Sequence, residues 1–178
     1  RPSTLAADVV SGPMPSPIIR SFPPIAAPDA RLLILGSMPG VASLDAGQYY
    51  AHPQNAFWRI MGEIAGAGPD KDYKERERIL HARGIAVWDV LKSCVRPGSL
   101  DADIRDEVPN DFAAFFAAHP GIVRIGLNGG KAAASFKAHA ARFCPQGVMV
   151  TTLPSTSPAH AARSFAEKCE MWRAGLCL

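Results

Sequence analysis

Between Tyr49 and Trp58 the chain runs YYAHPQNAFW, with four aromatic residues set around a His, a Gln and an Asn and no acid among the ten. The amides of Gln54 and Asn55 give and accept hydrogen bonds but take no proton near pH 7. Taken alone, Asn55 also reads as an N-cap ahead of the helical pattern AFWRIM. Three other stretches carry groups that could do chemistry. GSMPG holds Ser37 and Met38, GLNGGKA holds Asn128 and Lys131, and LPSTSPAHA holds Pro154, Ser155, Thr156, Ser157 and His160. Asn128 is followed by glycines that let another backbone come close. The hydroxyls and backbone N–H groups of STSP, at the expected start of a helix, suit either a phosphate or a helix cap.

Several familiar chemistries do not fit these stretches. A nucleophile elbow needs G-x-S-x-G, and Ser37 stands one place too early. A phosphate loop ending in GK would need Gly at Ile125 and a hydroxyl at Ala132, and both fail. No G-x-G-x-x-G opens a helix, so a dinucleotide cofactor is not expected. Cys94, Cys144, Cys169 and Cys177 form no C-x-x-C and no zinc spacing with His, so we expect no metal and read them as reduced thiols of a cytoplasmic protein. No apolar run reaches the ~18 residues of a membrane span, and no secretory leader pattern is present.

The elements that must hold these groups alternate. Apolar runs predict strands at Arg31–Leu35, IAVWDVL, IVRIGLNG and GVMVTTLPS. Helical spacing predicts helices from about Ala56 to Ala65, over YKERERILHARG with a stop at Gly84, over NDFAAFFAAHPG with Asn110 as N-cap, over GKAAASFKAHAARF, and over SPAHAARSFAEKCEMWRAG. Strands alternating with helices predict an α/β protein with a parallel, helix-covered sheet, whose ligands bind at the carboxyl ends of the strands. At 178 residues one core is expected: a single domain over 25–178 behind a proline-rich arm over 1–24, where six prolines resist regular structure. Net charge is only +3, but seven Lys and Arg face two Glu from Arg124 onward, which places any phosphate-facing surface in the C-terminal third.

In order and spacing, the blocks LILGSMPGVASLDAGQYYAHPQNAFW, GIAVWDVLKSCVRPGSLDADI, IGLNGGKA and LPSTSPAHAARSF resemble the uracil-DNA glycosylase superfamily, most closely its hypoxanthine-DNA glycosylase branch, family 6. The resemblance runs from about Phe22 to Gly175. It implies a three-layer α/β/α sandwich around a four-stranded, mainly parallel sheet, with no metal or cofactor in catalysis. It also implies a monofunctional DNA glycosylase of base-excision repair: deoxyinosine is flipped out of DNA, its N-glycosidic bond is hydrolysed by water, and hypoxanthine leaves behind an abasic site.

By motif position the resemblance makes Asn55 catalytic, its carbonyl holding a water against C1′. Tyr50 would stack on the base, Asn128 would read its edge, and Ser37 and Met38 would complete the base pocket. Lys131, Pro154, Ser155, Thr156, Ser157 and His160 would meet single- or double-stranded DNA, with PSTSPAHA supplying the wedge. The chain departs from better-known branches in having Ser37 where many carry an acidic or amide residue, and Leu153 where some carry His; His160 is expected on the closing helix and does not stand in for it.

Blander readings stand beside these. His52 braces a loop, Phe57, Trp58, Trp88 and Trp172 are core, Lys131 is solvated, and Asn110 and Asp111 cap a helix. Three other functions are weighed: a mismatch-specific uracil/thymine-DNA glycosylase, a lesion-binding protein without chemistry, and a small-nucleotide enzyme on a similar sheet, against which the missing phosphate loop counts. A monomer is expected.

Overall fold

The computed structural model describes residue 12 and residues 14–178; the first part of the proline-rich arm lies outside the described residues. Four strands form the central sheet: β2 (Leu32–Gly36), β3 (Ile85–Asp89), β6 (Arg124–Asn128) and β7 (Met149–Leu153). Their order is β3-β2-β6-β7 and every pairing is parallel. The sheet carries helices on both faces, and the period of two along each strand decides which side chains meet which layer.

One layer holds α2 (Phe57–Ala65), α3 (Tyr73–Ala82) and α6 (Phe165–Leu176). Gly126 faces it so closely that a Cβ there would lie 2.6 Å from Leu176 Cδ2. The neighbours of Gly126 across the sheet, Ile34 and Thr151, and Val87 beyond Ile34, share that face. Trp88, one residue on, points the other way and stacks on Phe115 of α4 (Phe112–Ala118), which with α5 (Gly130–His139) forms the second layer. Leu33, Ile34, Leu35 and Ile125 are fully buried. Each such side chain contributes about 1.5–3 kcal/mol, which makes this sheet the rigid part of the molecule.

A second sheet was not legible in the sequence. It is antiparallel, of order β1-β4-β5, built from β1 (Ile18–Arg20), β4 (Leu91–Val95) and β5 (Arg105–Pro109). The run IAVWDVL, expected as one strand, therefore divides at Val90. There the Val90 N–H donates to the Gly36 carbonyl and the Leu91 N–H to that of Ser37, and the chain leaves the parallel sheet. Part of the proline-rich arm is in the fold: Ile18–Arg20 pair with Ser93–Val95. A short helix, α1 (Val41–Ala46), also follows the first loop.

Two helix starts differ from expectation. Asn110 does not cap α4, because its Nδ2 donates to the Asp89 carbonyl at 2.8 Å; Asp111 caps instead, accepting from the Ala114 N–H at 3.0 Å. The closing helix begins only at Phe165, capped by Ser164, so His160 is exposed on a turn before it. Phe57, Trp58, Trp88 and Trp172 are core, as read. The four cysteines are free, and no described helix is long and apolar enough to cross a membrane.

Candidate active site

The carboxyl ends of β2, β3 and β6 open on a cavity of about 560 Å³. Gly36 and Asp89 are register partners at this edge, and Asn128 is paired with Leu153. The glycine between the two polar residues leaves a gap. A Cβ on Gly36 would lie 2.5 Å from Asp89 Oδ1 and 2.9 Å from Tyr50 Oη, so the missing side chain is what admits the phenol to the cavity floor.

Tyr50 is held there from several directions. Its backbone is left-handed, φ 55°, at the end of the loop after α1. Phe57, the first residue of α2, stacks on its ring with centroids 4.0 Å apart, covering one face. The part-exposed Tyr50 lines the cavity, and its hydroxyl accepts from Asn128 Nδ2 at 3.2 Å. Burial, with the charge of Asp89 beside it, drives the phenol pKa up, so the ring stays neutral.

Asn128 is a clamp. Its Nδ2 also donates to Thr156 Oγ1 at 3.0 Å, and its Oδ1 accepts from the Thr156 N–H at 3.0 Å, a contact that fixes which end is oxygen. Both of its N–H donors are thus engaged within the protein. The Thr156 carbonyl in turn accepts from the Ala56 N–H at 3.0 Å, so the last loop is tied to the start of α2. Gly129, φ 93°, lets this loop approach, since a Cβ there would stand 2.9 Å from Ser155 Cβ.

Asn55 lines the cavity two residues ahead of α2, and its Oδ1 accepts from the Phe57 N–H at 3.0 Å. That bond is of the capping kind and locks the rotamer, while a carbonyl oxygen keeps a second lone pair for another donor. Capping and presenting the amide to the cavity are therefore compatible. His52 Nδ1 accepts from the Gln54 N–H at 3.1 Å and braces the loop at the cavity rim.

Ser37, Met38, Lys131, Ser155, Thr156, Ser157 and His160 line the same cavity; Pro154 does not, and its carbonyl accepts from Trp172 Nε1. Lys131 is paired: its ammonium meets Glu107 of β5, whose other oxygen lies 2.8 Å from His139 Nε2. The Ser37 hydroxyl is engaged as well, donating to Asp101 Oδ1 at 2.8 Å.

Two acids that the motif reading overlooked belong to this site. Asp101 comes from the loop between β4 and β5, whose residues Ser99, Leu100 and Ala102 also line the cavity. Asp89, 3% exposed, ends β3, and its Oδ2 has no hydrogen-bond partner. Burial, then repulsion from Asp101, pushes its pKa up to about 7 against the opposing pull of Arg96. Arg96 is itself buried, donating to the carbonyls of Pro39 and Gly98 and so pinning the first loop to the β4–β5 loop. The signal for Asp89 lay in AVWDV, since an acid inside a wholly apolar strand is buried with it.

The family model described as the uracil DNA glycosylase superfamily matches residues 23–175. The chain belongs to that superfamily. A hypoxanthine DNA glycosylase from Methanosarcina acetivorans is 35% identical over 159 residues, 88% of this chain and 97% of the relative. One from Methanosarcina barkeri is 38% identical over 113 residues, 63% of this chain and 72% of that one. A G/U mismatch-specific uracil DNA glycosylase from Schizosaccharomyces pombe is 26% identical over 97 residues, 54% and 29% of the two chains. Among solved structures, the solution NMR structure of a Methanosarcina acetivorans protein provisionally named uracil DNA glycosylase superposes with a TM-score of 0.73. It is 33% identical, with 88% of this chain and 98% of that one covered. The resemblance drawn from the four blocks, and the α/β fold with a four-stranded parallel sheet, are both borne out.

Proposed function

We propose that this DNA glycosylase, by family a hydrolase of N-glycosyl bonds, takes deoxyinosine out of DNA and releases hypoxanthine with water as the nucleophile. The observation that carries the reading is the convergence of Tyr50 and Asn55, from the loop between α1 and α2, with Asn128, from the end of β6, on one cavity at the strand ends. The names of the two Methanosarcina relatives support the choice of base.

The flipped base stacks on the open face of Tyr50, worth about 1–3 kcal/mol, with Phe57 fixing the ring from behind. The Asn55 carbonyl spends one lone pair on the Phe57 N–H and directs the other at a water facing C1′. As the bond stretches towards an oxocarbenium-like sugar, that placement is the amide's contribution. Asn128 sets the floor by holding Tyr50 and Thr156, and reads the base through the remaining lone pair of its oxygen. The rim at Ser157 and His160 meets the DNA backbone, and Lys131 reaches a phosphate by leaving Glu107 for it. The enzyme acts as a monomer in the cytoplasm, and residues 25–178 form one domain together with the Ile18–Arg20 strand.

The test uses purified protein and duplexes carrying a single deoxyinosine or deoxyuridine, followed by alkali. Strand cleavage is expected at deoxyinosine, and Asn55→Ala is expected to lower the single-turnover rate about 100-fold. Cleavage at deoxyuridine alone would assign the mismatch-type activity instead, and binding without product would make the protein a lesion binder.

A further inference from the structure

A base leaving a sugar carries away the bonding electron pair and needs a donor to receive it. Two side-chain donors of this cavity, Ser37 and Asn128, are already engaged. The Ser37 hydroxyl donates to Asp101, and both N–H groups of Asn128 donate to Tyr50 and Thr156. Among the described residues three side chains have a buried polar atom without a partner: Asp89, Arg96 and Ser135. Of these only Asp89 lines the cavity. It stands at the floor beside the Tyr50 hydroxyl, where Gly36 makes room for both.

We propose that Asp89 is the general acid of the reaction, giving its carboxyl proton to a ring nitrogen of the departing purine. The inference rests on the deoxyinosine reading above. In the step, the C1′–N9 bond breaks and its electron pair passes into the purine ring. The Asp89 proton moves to a ring nitrogen, so the base leaves neutral and the carboxylate stays behind. The water held by Asn55 adds its oxygen to C1′ and loses a proton to solvent, and Asp89 is reprotonated from solvent for the next turnover.

The groups facing Asp89 suit it to this task. Burial does most to keep the Asp89 carboxyl protonated towards neutral pH, and Asp101, from the β4–β5 loop, adds its repulsion; Arg96, just past β4, pulls the other way. Tyr49 and Tyr50, from the loop after α1, stay neutral beside it. His52, Lys131 and His160 also line the cavity.

Single-turnover excision from a deoxyinosine duplex, followed between pH 5 and pH 9 for the intact chain and two variants, decides the matter (roughly the range over which a carboxyl raised to near neutrality would titrate). The unsubstituted protein should lose rate about tenfold per pH unit above neutrality, as the acid form disappears. Asp89→Asn keeps the shape and can donate a hydrogen bond but yields no proton. It should be about 10²–10⁴-fold slower at the acid end and lack that descending limb. Asp101→Asn leaves Asp89 in place and removes the repulsion, so the midpoint of the limb should move to lower pH. A descending limb that survives Asp89→Asn would overturn the acid role while leaving the glycosylase reading intact. An unsubstituted protein that excises no hypoxanthine at any pH would overturn the substrate reading and this inference with it.

Discussion

At the scale of single residues, the site depends on an absent side chain. Gly36 lets the Tyr50 hydroxyl and the Asp89 carboxyl share the cavity floor. Gly36→Ala puts a methyl 2.5 Å from Asp89 Oδ1, and one of the two polar groups must move. Overpacking of this kind costs about 1–3 kcal/mol, and displacing the stacking ring should slow excision about 100-fold. Denaturant titration and single-turnover rates check the two parts separately. The residues that the motifs exposed, Ser37, Tyr50, Asn55 and Asn128, sit in loops or at strand ends where polar side chains stand out against apolar runs. Asp101 was hidden because its contact with Ser37 joins positions 64 apart in sequence. Asp89 was hidden inside a strand, where an acid is easily passed over as part of the run.

Elements tell a parallel story. The four central strands were legible to different degrees: β2 and β3 are buried on both faces and read as apolar runs, β6 is buried along its middle, and the edge strand β7 is largely exposed and shows only as a short Met-Val-Thr-Thr-Leu run. The second sheet was not, because β5, Arg105–Pro109, is charged and largely solvent-facing, β1 lies among prolines, and β4 continues the apolar run of β3. Side-chain pairing ties this sheet to the rest: Glu107 of β5 holds Lys131 and His139 of α5. Burial alone would raise the Glu107 pKa, but hydrogen bonds from Lys131 and His139, and their charge, outweigh it and hold the carboxyl low. A depressed acid stabilises the fold above its ordinary value of 4.5, and that contribution is lost as pH falls through the folded value. Glu107→Gln should therefore cost about 1 kcal/mol at pH 7 and approach zero cost in acid, read from denaturation midpoints across that range.

For the molecule as a whole, Asp89 sets stability against activity. Its pKa is raised from 3.8 to about 7, so its deprotonation opposes folding, increasingly as pH climbs between those values and by a constant amount above them. Three units correspond to at most about 4 kcal/mol. Asp89→Asn, inactive or slow, should be the more stable protein in alkaline denaturation measurements, with the gain vanishing at acid pH. The loop between β4 and β5 gives this trade a particular handle. It reaches the cavity from a hairpin outside the parallel sheet, joined to it at Val90 and pinned by Arg96. Tyr50 and Asn55, proposed to stack on the base and to hold the water, belong to another loop altogether. On the proposed mechanism the working pH is therefore set partly on a replaceable tip: exchanging residue 101 retunes the acid and frees the Ser37 hydroxyl, while Tyr50 and Asn55 keep their places.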